Sequence, residues 1–155
     1  MNYWQISDGN GETNLRDVFI DLNVALMGPG ELGDYFDHKN EYENMGHGNK
    51  IGTFAEKVQI GDIFVLKHMK SKMKTWQILA VGEVVGEYQY EPIFGNVGAY
   101  GWDVQHCRRV NWKVPDEEII VTGGAKPKIQ ILKDSNAMKG KAMELWDKLL
   151  FNYKK

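Results

Sequence analysis

Apolar positions along this chain recur with two periods, and the change from one to the other sketches the elements. Residues 2–7 carry Tyr3, Trp4 and Ile6, a first strand that stops at the turn cluster Asp8-Gly-Asn-Gly11. Leu15, Val18, Phe19 and Leu22 then recur at i, i+3, i+4 and i+7, the signature of a short amphipathic helix. Thr13 or Asn14 supplies its N-cap, and Asn23 suits its C-terminal end. Residues 24–27 form a second short strand, closed by Gly28-Pro-Gly30. Thr53 and Glu56 make a capping box, which predicts a short helix over 53–58.

A hairpin follows. Residues 63–66 are an unbroken apolar run, and 76–85 are β-branched and apolar, so two buried antiparallel strands are expected. The loop between them is basic, with Lys67, His68, Lys70, Lys72 and Lys74. Residues 102–114 read as a long strand ended by Pro115, and 119–122 and 128–132 as short strands around Gly123-Gly124. Ser135 or Asn136 caps a last helix with Met138, Ala142, Leu145, Trp146 and Leu149 on one face. Two stretches have no period. Residues 31–50 hold Glu31, Asp34, Asp37, Glu41 and Glu43 against Lys39 and Lys50, an acidic loop with helical fragments. Residues 87–101 are a loop rich in Tyr and Gly. The pattern is α+β, one domain over 1–155, with five or more strands in a curled β-sheet or small β-barrel and helices packed outside.

Composition narrows the function more than the fold. Net charge is −2, so any affinity for nucleic acid must rest on local patches. Cys107 is the one cysteine, which excludes an internal disulfide and a Cys-based zinc site and fits a reducing cytoplasm. No signal peptide or membrane span is visible. His38, His47, His68 and His106 lack metal-ligand spacing, and no nucleophile elbow, HExxH or Walker motif occurs. No metal, cofactor or catalytic residue is therefore expected. The basic loop is either a solvated hairpin tip or a contact for phosphates through Lys67, Lys70, Lys72 and Lys74, which Arg108, Arg109 and Lys113 could extend. Trp4, Trp76, Trp102 and Trp112 fall on expected strands. Trp76 and Trp102 stand at strand ends, where an indole can wall a pocket and stack on a base.

The ordered set of segments Tyr3-Trp-Gln-Ile-Ser-Asp8, Asn23-Val-Ala-Leu-Met-Gly28, Phe54, Gly61-Asp-Ile-Phe-Val-Leu66, Trp76 with Ala80-Val-Gly82, and Cys107-Arg-Arg109 followed by Pro115 resembles the PUA-like superfamily, and within it EVE and YTH domains. The likeness spans roughly 2–115, leaving the strands and helix of 116–153 outside it. Such domains also look like the N-terminal specificity modules of McrB-type modification-dependent restriction systems. The resemblance implies a non-catalytic reader of a modified base, flipped into an aromatic pocket, with an AAA+ or nuclease effector fused or separate. It implies a pocket from Ser7, Asp8, Met27 and Gly28, a cage aromatic among Tyr88, Tyr90 and Phe94, and the two indoles. Met27 and Gly28 stand where YTH domains have Trp and Ser. Modified DNA is the favoured ligand; an RNA-binding PUA-like domain, an ASCH-like enzyme acting on nucleic acid, and a protein-interaction domain are the alternatives.

Overall fold

The computed structural model describes residues 1–9, 14–45, 49–71, 75–122 and 127–153. Its framework is one mixed sheet, strongly curled into a half-barrel, with helices on both faces. Strand β1 (Tyr3–Ser7) lies between β3 (Ile63–Ser71), to which it is parallel, and β8 (Ile129–Ile131), to which it is antiparallel. The order continues from β3 through β4 (Thr75–Val84) and β6 (His106–Lys113) to β2 (Val24–Met27). The short strands β5 (Gln89–Tyr90) and β7 (Ile119–Thr122) pair with β6 and β4.

The two-residue alternation of side chains decides what each face holds. Trp4, Ile6, Phe64, Leu66 and Ala80 join Val110 and Trp112 in the larger core, together with Phe19 of helix α1 (Arg16–Leu22) and Tyr42 of α2 (Lys39–Glu43). Tyr3, Ile63, Val65, Trp76, Ile78 and Val81 point the other way, onto Met138, Ala142, Leu145 and Trp146 of α4 (Ala137–Tyr153). The helical face expected for this last helix is the one that covers the sheet. No helix among the described residues is long and apolar enough to cross a membrane.

Three local expectations need correction. Strand β3 does not end at Leu66; it continues through Lys67, His68, Met69 and Lys70, because Lys67 pairs with Ser7 on one side and Ile78 on the other. The helix expected from Thr53 starts earlier. Asn49 caps α3 (Lys50–Gly52), its Oδ1 accepting from the Gly52 N–H at 3.0 Å, and the chain runs on as a π-helical turn, Thr53–Lys57. Strand β6 begins at His106, and the four residues before it belong to the loop. The N-cap position of α1 falls at Leu15, one residue after Asn14, whose Oδ1 accepts from the Arg16 N–H at 3.2 Å; Asn23 ends α1 with φ 54°. Thr13, His47 and Gly123-Gly124 lie outside the described residues.

Candidate functional site

The end of β1 and the loop before β6 meet at one rim of the curl. Asp8 follows β1 and is 3% exposed. Its backbone oxygen accepts from the Leu15 N–H at 2.9 Å, and Gly9 bridges to Asn14, so the segment folds back against the start of α1. The carboxyl oxygen Oδ2 is buried with no hydrogen-bond partner among the described residues. Burial, an unfavourable place for a charge, pushes the Asp8 pKa from 3.8 up to about 6, and Asp17 adds to this; a backbone hydrogen bond and the cations Arg16 and Lys128 oppose it.

Trp102 is half-buried and is held by paired backbone bonds to Val97, 2.8 and 2.9 Å. It walls a cleft of about 170 Å³ with Leu15, Asn14, Val97 and Tyr100. That is below the roughly 300–1,000 Å³ of drug-sized pockets and suits a single flat ring. The Lys128 ammonium lies 5.8 Å from the Trp102 ring centroid. Its pKa is lowered to about 8, first by burial and then by Lys50, while Asp8 and Asp103 pull the other way. Gly28 is pressed against the same loop: a Cβ there would sit 2.1 Å from the Asp103 carbonyl oxygen. The Gly28–Pro29 bond is cis, and the Asp103 Oδ2 accepts from the Gly30 N–H at 3.3 Å. Asp8, Gly28 and Trp102 are therefore brought to one rim. Lys128 and Asp103 join them without having been expected; the only available signal was a lysine opening a strand after Pro127.

The remaining aromatic candidates do other work. Tyr88 donates to His106 Nδ1 at 2.6 Å and accepts from the Tyr35 N–H at 2.9 Å, while His106 Nε2–H donates to the Pro29 oxygen at 2.9 Å. Burial lowers the His106 pKa, so the ring is held neutral, the form in which Nδ1 accepts from Tyr88. Burial likewise raises that of Tyr88. Tyr90 donates to the Gly30 oxygen at 2.7 Å. These hydroxyls fasten the segment after β2 to the sheet, and neither is free for a base edge. Phe94 packs against the main core. Met27 is fully buried there, paired with His106, and covers no ligand face.

Trp76 is 5% exposed on the face under α4, away from Trp102. Ser7 donates its N–H to the Lys128 oxygen at 3.0 Å, but alternation turns its side chain from the face of Ile6 and Asp8. Lys67 is 1% exposed, donates to the Pro127 oxygen at 2.8 Å and lies 4.4 Å from the Trp76 ring centroid. Burial lowers its pKa to about 7. Lys67 is thus an internal residue, and the expected phosphate contact is withdrawn for it. Arg108 is withdrawn too. Its guanidinium donates to the carbonyls of Phe54, Ala55, Val58 and Gly86 at 2.7–3.1 Å, capping the end of the π-helical turn. Lys70 pairs with Glu118 at 3.0 Å, Arg109 is exposed, and Lys72 and Lys74 lie outside the described residues. Among the described residues no group of His, Cys, Asp or Glu could hold a metal ion.

A family model described as a domain of unknown function, DUF8426, matches residues 4–127, and the chain belongs to that family. No curated protein matches it.

Proposed function

We propose that this member of the DUF8426 family is a non-catalytic nucleic-acid reader that holds one modified, methylated base against Trp102. In this reading the half-barrel is a PUA-like, EVE/YTH-type domain acting in the cytoplasm as the targeting part of a restriction or defence system. The supporting observation is a half-buried indole in a ring-sized cleft, with Asp8, whose backbone oxygen holds Leu15 of that cleft, buried nearby and its Oδ2 without a hydrogen-bond partner among the described residues. Stacking on the indole supplies sequence-tolerant affinity. A polar group at Asp8 reads the base edge, and the snug wall formed by Leu15 and Val97 detects the methyl group. Lys50 and the partly buried Lys128 stand close enough to feel each other's charge and supply the attraction for phosphate.

The test is a titration of fluorescent duplexes, methylated and unmodified, at one salt concentration. Methylated DNA should bind more tightly, and Trp102→Ala should cost about 1–3 kcal/mol of that affinity. Equal, weak binding to both duplexes would sink the modified-base reading. RNA of the same sequence as competitor separates an RNA reader, which would engage the 2′-hydroxyl.

A further inference from the structure

A second cleft lies elsewhere on the molecule and shares no lining residue with the first. It encloses about 490 Å³ between Phe36, Ile60, Tyr88, Glu56 and Glu87, with Arg108 in its floor. The floor's polar groups are committed, since Arg108 donates to four carbonyls and the Tyr88 hydroxyl to His106. What faces solvent is mixed, with Phe36 and Ile60 as its large apolar side chains beside Gln59, Glu56 and Glu87. Phe36 and Ile60 are each 57% exposed.

Phe36 is exposed and yet held. Its N–H donates to Asp34 Oδ1 at 2.8 Å, and its ring stands edge-on to Tyr35 and Tyr88 with centroids 5.3 and 5.6 Å apart. An aromatic ring already fixed in place loses little freedom when a partner covers it, which is the property of an interface anchor. Acidic groups outnumber basic ones along the neighbouring chain, although Arg108 lies in the floor and Lys39 reaches Glu56. Glu87 is exposed, Glu56 is engaged with Lys39 at 2.7 Å, and the loop carries Glu31, Asp34, Asp37, Glu41 and Glu43 against Lys39. A phosphate backbone is repelled by such an acidic excess, whereas an ammonium or guanidinium on an apolar stem is drawn to it and rests over the Phe36 ring.

We propose that this cleft docks a basic, amphipathic segment of a partner protein, with an Arg or Lys over Phe36 between Glu56 and Glu87 and a neighbouring aliphatic side chain on Ile60. The acidic stretch of the sequence, which the base-reading cleft does not use, thereby gains a purpose, and the proposal stands independently of the nucleic-acid reading.

The probe is a fluorescein-labelled peptide in which arginine and leucine recur at helical spacing, followed by anisotropy and by amide NMR shifts. The peptide should bind and shift Phe36, Ile60 and Glu87 while leaving Trp102 unmoved. Phe36→Ala and Glu87→Lys should each weaken it at least about tenfold, with methylated-duplex binding, where present, unchanged. A counterpart with glutamate for arginine should not bind. Unchanged peptide affinity in both variants, shifts centred elsewhere, or spermine binding as tightly as the peptide would each overturn the proposal. Both substituted residues are exposed, so thermal unfolding curves close to the unaltered protein's establish that the variants fold.

Discussion

Asp8→Asn tests the electrostatics of the rim most directly. The substitution keeps shape and removes the titration. Burial raises the carboxyl from 3.8 to about 6, which at about 1.4 kcal/mol per tenfold is about 3 kcal/mol. A carboxyl whose pKa is raised on folding contributes stability that is fully present below pH 3.8 and is lost as pH rises through 6. Lys128, with its pKa lowered to about 8, behaves in the opposite sense: its contribution is complete above its unfolded value and lost as pH falls through 8. Below about pH 7 it is therefore nearly constant. Urea unfolding of both proteins from pH 4 to pH 7 then isolates Asp8, because groups that do not feel its charge cancel in the difference and Lys128, which does, is nearly constant there. The stability of Asp8→Asn relative to the unaltered protein should rise by about 2–3 kcal/mol across that range, from whatever constant offset the amide introduces at pH 4. A difference that stays flat would show that Asp8 is solvated or paired in solution, and the argument for an unpartnered reading group would fall with it.

Three further outcomes follow from the geometry. Arg108→Met strips the donor from the carbonyls of Phe54, Ala55, Val58 and Gly86 and should cost about 3 kcal/mol or more in urea unfolding; a loss below about 1 kcal/mol would mean that water replaces it freely. Lys67→Met removes an ammonium whose pKa burial lowers to about 7, so the variant's stability relative to the unaltered protein should be greatest at pH 6 and fall by about 2–4 kcal/mol towards pH 10, whatever constant offset the lost contacts with Pro127 and Trp76 introduce. Gly28→Ala drives a methyl group into the Asp103 carbonyl oxygen and should cost about 1–3 kcal/mol. It should also move the Trp102 indole resonance in a ¹H–¹⁵N spectrum, and an unmoved indole would uncouple that contact from the cleft.

The strands that alternate or run apolar were legible because burial on a sheet leaves a direct mark on residue type. Ile63 to Val65 and Trp76 to Val81 are examples, and the helical stripe from Met138 to Leu149 is another. What the chain hides is which lysine lies inside. Lys67 and Lys70 look alike in a basic run, but Lys67 is drawn under Trp76 by strand pairing while Lys70 reaches Glu118. The same limit applies to Arg108 and Arg109. Alternation predicts that they face opposite ways, and only the position of the π-helical turn decides which is buried. At this rim, Asp8 and Trp102 were accessible from the ends of expected strands. Lys128 was not, because it arrives through pairing between segments far apart in the chain.

The position of β1 also sets a timetable. Its neighbours are Phe64 on one side and Ile131 on the other, opposite Trp4 in both cases. During synthesis the first strand has no partner until β3 has emerged, and its second edge stays open until β8, far later in the sequence, is made. Contacts of such long sequence separation close late and slowly. Because Asp8 follows β1 and Lys128 immediately precedes β8, the rim of the cleft cannot be completed before β8 has emerged, and a ribosome-bound chain lacking β8 would present an unpaired β1 edge instead of a finished cleft.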